Sequence, residues 1–379
     1  MKKTINAFIL LIVVIFSTNK MHAQTTAKDF YEKGIALFNQ DKFKEAVIEF
    51  DKASSIDPNY ENAFYKAGWC YNDLEDFDKA INRLTKVVKL NPASFDAYQE
   101  LGYAYKKIKN YDNSLEALNK AVSIKENFPL AYKQLGDVYQ ILEKETASLA
   151  AYKKCYEYDS QNNSACYNIG YMYNQKDEYE TAIEWLNKAI EIKAEDETYN
   201  EIGYAYFKLK KNDESLSAYK KAIAINDKNG TSYKGIGDVY RNNYDPAKTE
   251  DAFANYTKAI EYNPTSYGSH YGLGWCYNET EKYEEAIQAL EKTIELNNNF
   301  LAAYEELGYA YYMASKYSKS LEILKKGLVV NSKSMLCRYY AGLVYVNQKD
   351  KNNATKMQKE LYQLDEKLGK KLLDKINAM

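Results

Sequence analysis

Histidine is nearly absent from this 379-residue chain: there are two, and only His270 lies beyond residue 23. With one imidazole and five dispersed cysteines (Cys70, Cys155, Cys166, Cys276 and Cys337), no His/Cys metal cluster can be assembled. For the same reason no serine or cysteine nucleophile has a choice of base. Arginine is as scarce, with Arg83, Arg241 and Arg338 alone, and the chain is mildly acidic. That balance argues against nucleic acid, which calls for clustered cations and favours arginine for base reading. No phosphate loop or dinucleotide glycine motif is present, and no cofactor is expected. The one long apolar run, Ala7–Phe16, falls well short of the ~20 residues that span a bilayer. Nothing catalytic is expected from such an inventory.

The apolar run belongs to an expected signal peptide, residues 1–23. Lys2 and Lys3 precede it, polar residues follow, and Met21-His22-Ala23 offers a cleavage point after Ala23. No cysteine follows to take a lipid. Export to a bacterial periplasm or cell surface is the corresponding expectation. Without residues 1–23, which carry Lys2, Lys3 and Lys20 and no acid, 48 basic side chains face 53 acidic, a formal charge of −5. An odd cysteine count argues against an obligatory disulfide framework. Cys155 and Cys166, on consecutive helices, are the one pair whose bridging the spacing leaves open.

What the chain has in abundance is periodicity. Gly34, Gly68, Gly102, Gly136, Gly170, Gly203, Gly237, Gly274, Gly308 and Gly342 recur at intervals of 33 to 37 residues, mostly 34. Each interrupts a helical pattern, where glycine costs roughly 1 kcal/mol against alanine, so ten at one phase require a helix packed too close for a side chain. Counting from Ala27, glycine is position 8. Tyrosine fills position 11 in all units but the first, which has Leu37. Position 4 is usually aromatic, with His270 there as a packing substitute. Alanine or serine fills position 20, a large residue such as Phe50, Leu84, Leu118, Leu186 or Leu290 fills position 24, and Pro58, Pro92 and Pro264 close units.

With "FYKAGWCY" through "KLNP" and "YQELGYAY", this pattern resembles the tetratricopeptide repeat (TPR) family, W-x2-L-G-x2-Y…A-x3-F…P. The resemblance implies an all-α fold: an α-solenoid, a right-handed superhelix of about ten helix-turn-helix repeats over residues 27–368. The repeats fall near 27–60, 61–94, 95–128, 129–162, 163–195, 196–229, 230–266, 267–300, 301–334 and 335–368. Residues 366–379, apolar and charged at helical spacing, are expected to form a C-terminal capping helix.

The repeats also group in threes. "YKAGWCYN", "YNIGYMYN" and "YGLGWCYN" open repeats 2, 5 and 8; "ELGYAYKK", "EIGYAYFK" and "ELGYAYYM" open repeats 3, 6 and 9; "QLGDVYQ" and "GIGDVYR" open repeats 4 and 7. The resemblance implies that first helices line a concave groove. Positions 5, 9 and 12 share one helical stripe. The candidate partner-binding residues on it are Tyr65, Trp69 and Asn72; Tyr103; Lys133 and Asp137; Tyr167, Tyr171 and Asn174; Tyr204; Lys234 and Asp238; Tyr271, Trp275 and Asn278; and Tyr309. Two readings of the rings stand side by side: hot spots for a partner, or packing between neighbouring helices. The asparagines would hydrogen-bond a ligand backbone. Lys133/Asp137 and Lys234/Asp238 also read as i, i+4 surface ion pairs. The family's carboxylate clamp needs Asn at position 9, where Asp137 and Asp238 stand, so a carboxylate-terminated chaperone ligand is not expected.

The expected function is therefore a non-catalytic protein–protein interaction scaffold that binds a peptide or protein in an aromatic groove, for envelope assembly or secretion. A glycan-binding module of the cell envelope is the alternative.

Overall fold

The computed structural model describes residues 26–244 and 247–379. The expected signal peptide and Asp245-Pro246 lie outside the described residues. Every regular element among the described residues is an α-helix, in two compact units, one ending at Asn168 and one beginning at Ile169.

In the first unit, α1 (Ala27–Phe38) and α2 (Phe43–Ile56) form repeat 1, and α3 (Glu61–Asp73) and α4 (Phe77–Leu90) repeat 2. Repeat 3 follows as α5 (Phe95–Lys107) and α6 (Tyr111–Ile124), and repeat 4 as α7 (Pro129–Ile141) and α8 (Glu145–Tyr158). Consecutive helices pack in chain order, and the first helices also touch one another, α3 with α5 and α5 with α7. The next helix, α9 (Asn163–Gln175), contains the division between units.

The second unit continues with α10 (Tyr179–Ile192), α11 (Asp196–Lys208), α12 (Asn212–Ile225), α13 (Gly230–Asn242) and α14 (Thr249–Tyr262). It ends with α15 (Tyr267–Glu279), α16 (Tyr283–Leu296), α17 (Leu301–Met313), α18 (Tyr317–Val330), α19 (Met335–Asn347), α20 (Lys351–Leu364) and α21 (Glu366–Asn377). From α11 onwards each first helix again touches the next first helix.

The glycine period is a packing lock within each of repeats 1–9. A Cβ on Gly68 would lie 2.6 Å from Leu84 Cγ, and one on Gly136 2.7 Å from the Tyr152 ring, so position 8 is the seat of the position-24 side chain. Leu84, Leu118, Tyr152, Leu186 and Leu290 are fully buried there, each such side chain contributing about 1.5–3 kcal/mol. Where position 24 is Tyr219 or Tyr256, the ring reaches on into the next repeat. It fits because that repeat has Gly235 or Gly272 at position 6, where a Cβ would come within 2.3 Å.

Position 20 adds a polar clasp. The buried hydroxyls of Ser114, Ser148, Ser215 and Ser320 donate to the carbonyls of Gly102, Gly136, Gly203 and Gly308 at 2.7–2.9 Å. The position-11 tyrosines tie repeats together: Tyr71 donates to Asp51 Oδ2 (2.7 Å), whose other oxygen accepts from Arg83 Nε (2.8 Å). Each complete turn between paired helices has a non-glycine residue at φ near +60°, such as Glu75, Lys109 or Lys210. There the backbone closes a Schellman-type end, as in Asp76 N–H to Tyr71 O at 2.9 Å.

The cysteines are core residues. Cys70, Cys155, Cys276 and Cys337 are unbridged, fully buried thiols, so the Cys155–Cys166 bridge left open by the spacing is not formed. His270 hydrogen-bonds through Nε2 with the carbonyl of Pro264 at 2.9 Å.

Candidate functional site

Within each unit the residues at positions 5, 9 and 12 lie on the first helices, and the three-repeat period is written into their contacts. In the middle member of each triplet the position-9 tyrosine meets the position-17 ring of the preceding repeat edge-on. Tyr103 on Phe77, Tyr204 on Tyr179 and Tyr309 on Tyr283 have centroids 6.2, 6.2 and 6.3 Å apart. One ring edge is thereby fixed, and Tyr204 remains 37% exposed.

A second contact recurs at the head of each triplet. Asn72, Asn174 and Asn278 are at most 4% exposed. Each donates its amide to the glutamate at position 6 of the next repeat: Asn72 Nδ2 to Glu100 Oε2 at 2.7 Å, Asn174 to Glu201 and Asn278 to Glu306 at 2.8 Å. The same amides also reach those residues' carbonyls. The NH₂ groups of the asparagines expected to hydrogen-bond a ligand backbone are thus committed between repeats. Their Oδ1 atoms, by contrast, have no hydrogen-bond partner. Burial lifts Glu100, Glu201 and Glu306 above the ordinary glutamate range, against the lowering effect of the asparagine amides.

The Lys/Asp pairs are likewise more than surface pairs. Asp137 Oδ2 accepts from Lys106 (2.8 Å) and Lys133 (3.1 Å), while Oδ1 accepts from the buried Tyr152 hydroxyl at 2.9 Å. Burial opposes its ionisation, but Lys106 first and Lys133 second hold its pKa below the usual range. Asp238 repeats the arrangement with Lys234 (2.5 Å) and Tyr256 (2.8 Å). Each aspartate is thus the polar end of the position-8/position-24 lock.

The rings at triplet heads are half-buried. Trp69 packs edge-on against Phe38 and Phe43 of repeat 1, at 4.9 and 5.4 Å, and Tyr65 joins the same core. Tyr271 meets Phe300 at 5.0 Å. The Arg241 guanidinium lies over Tyr271 and Trp275, at 4.9 and 5.9 Å. Tyr167 and Tyr171 are half-buried too. Packing and exposure are therefore divided within single rings.

In the first unit an open cleft of about 230 Å³ is lined by Trp69, Asn72, Asp73, Gln99, Glu100, Tyr103, Leu130 and Gln134. Of these, sequence reasoning had put only Trp69, Asn72 and Tyr103 forward as partner-binding. Gln134 and Leu130 come from the third repeat of the triplet, and Glu100 sits one residue off the position-5 stripe. The recurrence of Glu at position 6 in repeats 3, 6 and 9 was the available signal. A wider cleft, about 610 Å³, lies elsewhere on repeats 2 and 3, among Val88, Tyr98, Leu101, Tyr105 and Ala117. Its counterpart at Ile190, Tyr199, Ile202, Tyr206 and Ala218 occupies the same repeat positions in repeats 5 and 6. Among the described residues no group of three or more His, Cys, Asp or Glu is placed to hold a metal. No helix there is long and apolar enough to cross a membrane.

An array of paired helices, each locked by a glycine and joined to the next by recurring side-chain contacts, defines an α-solenoid repeat protein. Models described as "Tetratricopeptide repeat" match residues 27–60, 95–128, 131–162, 196–229 and 255–288, and a "TPR repeat" model matches 70–109 and 170–210. Together they span more than half of the sequence, and the chain belongs to the tetratricopeptide repeat family. Proteins of this family bind protein and peptide partners and are generally non-catalytic; this chain is a protein–protein interaction scaffold. No curated protein matches it.

Among solved structures, that of MamA is 28% identical, with 42% of this chain and 93% of that one covered and a TM-score of 0.40. YrrB, described as a TPR protein with an unusual peptide-binding site, is 22% identical over 50% and 96% (TM-score 0.40). Yeast Tom70 is 13% identical over 93% and 95% (TM-score 0.42).

Proposed function

We propose that the chain is an exported, non-catalytic scaffold of the cell envelope that holds a peptide segment or protein partner on the face formed by its first helices. The observation that carries this reading is the cavity between Trp69 and Tyr103. Many of the other rings are consumed by packing, yet here two of them flank a space whose edge includes Leu130, 47% exposed. Rings with one edge fixed by packing give rigid contact area at low entropic cost. Several such places along one chain would reinforce each other for an extended partner through effective concentration. Export rests on the charged, apolar and small-residue order of residues 1–23.

The test is a crosslinked pull-down from native envelope with the mature protein and a Tyr103→Ala/Leu130→Ala variant, both checked for folding. A partner held by the wild type and lost by the folded variant supports the reading. Equal capture overturns it for this face. Cell fractionation with N-terminal sequencing examines export, which predicts a chain beginning at Gln24.

A further inference from the structure

We infer that the cavity walled by Trp69 and Tyr103 seats a lysine or arginine side chain supplied by a protein partner; this rests on the scaffold reading above. The space is bordered by two carboxylates, Glu100 and Asp73, and Glu100 is hydrogen-bonded by the side chains of Asn72 and Gln99. Asn72 and Gln134, 4% and 6% exposed, line it as well, with the Oδ1 of one and the Oε1 of the other buried beneath its surface without a hydrogen-bond partner. Glu100 is bonded by the Asn72 amide, and Asp73 stands exposed at the rim. No lysine or arginine among the described residues forms an ion pair with either carboxylate. Two of the chain's own lysines lie over the Tyr103 ring, Lys106 at 5.9 Å and Lys107 at 5.5 Å, and Lys106 is paired with Asp137 rather than with Glu100 or Asp73. The acidic neighbour Asp96 adds to the negative field around Glu100.

The Trp69 ring beside the Glu100 and Asp73 carboxylates is what a cation recognises, by ring-face attraction and charge-assisted hydrogen bonds. The second unit contains an internal precedent. There the Arg241 guanidinium lies over Tyr271 and Trp275, and its charge bears on Glu306, the counterpart of Glu100. The residue of repeat 1 that corresponds to Arg241 is Phe38, which leaves Trp69 and Glu100 without a cation of their own. At about 230 Å³ the space suits one side chain better than a small-molecule ligand, whose sites run to about 300–1,000 Å³.

The probes are acetyl-arginine-amide and acetyl-lysine-amide, with acetyl-citrulline-amide as the uncharged comparator. They are added to the ¹⁵N-labelled mature protein at 0.15 M salt. The indole N–H signal of Trp69, identified by its loss in Trp69→Phe, should move saturably with both cations and stay with citrulline. Glu100→Gln, which keeps an acceptor for Asn72, should weaken the response about tenfold, the scale of one charged hydrogen bond. Asp73→Asn, at the exposed rim, should weaken it without touching the core. Equal movement with citrulline, or an undiminished response in the Glu100→Gln/Asp73→Asn pair, overturns the inference. If cations bind as expected but partner capture ignores Tyr103 and Leu130, the scaffold reading falls while the cation seat stands. If capture needs that face and the Trp69 signal ignores cations, the inference falls alone.

Discussion

Leu372 lies against Gly342 so closely that a Cβ on the glycine would sit 2.4 Å from Leu372 Cδ2. In repeats 1–9 the glycine is covered by position 24 of its own repeat; in repeat 10 that position is Gln358, and the covering side chain comes instead from α21. Gln358 turns to the last helix as well, donating to Gly369 O at 3.4 Å. Leu372 and Ile376 are buried against α19 and α20. Leu372→Ala therefore removes the lock of an entire repeat. We expect a loss of about 2–4 kcal/mol, read by chemical denaturation, with hydrogen-exchange protection falling first in residues 335–377. Protection lost evenly along the chain would contradict this.

Gly136 and Tyr152 provide the opposing case, an addition rather than a deletion. By propensity alone Gly136→Ala would strengthen α7 by roughly 1 kcal/mol. The new Cβ would instead meet the Tyr152 ring at 2.7 Å, and the ring is fully buried with its hydroxyl on Asp137. Overpacking of this kind costs about 1–3 kcal/mol, so the net effect should be destabilising. Tyr152→Phe, which keeps the ring and loses the hydroxyl, should cost about 1 kcal/mol. A thermal melt of both variants beside wild type decides the order, and an unchanged or raised Tm for Gly136→Ala would refute the lock.

These examples show where the sequence was legible. Helical period and glycine phase yielded the repeats, because each lock lies within one unit and returns every 34 residues. Leu372 was hidden because it lies beyond the last repeat and answers a position whose usual occupant had been replaced by Gln358. Helical spacing also identifies a face but not a depth. Asn72 shares the stripe of Trp69, yet lies under the next helix, with its amide on Glu100, 28 residues away. Asp137 looked like the partner of Lys133 because i+4 is visible, whereas its bonds to Tyr152 and Lys106 span a turn and a repeat boundary. Recurrence of Asn at position 12 and Glu at position 6 marked the pair without revealing that the two meet.

The thiols give a prediction that separates core from reactive cysteine. Burial pushes Cys70, Cys155 and Cys276 up to about 12 and Cys337 to about 11. Only the thiolate reacts, so at pH 8 the native protein should leave these four unmodified by a thiol-specific disulfide reagent. They should become titratable in denaturant without prior reduction. Rapid labelling of Cys70 or Cys276 in the native state would mean that the core of repeat 2 or 8 opens locally.

Glu100 carries a pH dependence whose sign follows from its burial. Its pKa lies above the usual glutamate value of 4.5, raised by desolvation and partly restrained by Asn72. The native state therefore holds this proton more tightly than the unfolded chain does. Its contribution to stability is fully present below about 4.5 and is lost as pH rises through the folded-state value. Above that value the carboxylate ionises in a site that disfavours charge, and holding it there costs stability. Glu100→Gln removes the charge while its Oε1 still accepts from Asn72, so at pH 7 the variant should melt higher than wild type. The difference should shrink as pH falls and vanish near pH 4, where the wild-type carboxyl is itself neutral. Comparison at matched pH cancels groups of opposite sign such as Asp137, whose depressed pKa supports the fold at neutral pH and fails in acid. A lower melting point for the variant at pH 7, or a difference that does not change with pH, would show that Asn72 or an unseen cation already compensates the charge. A cationic probe in the Trp69 cavity should narrow the same gap at pH 7, because it stabilises only the ionised wild type.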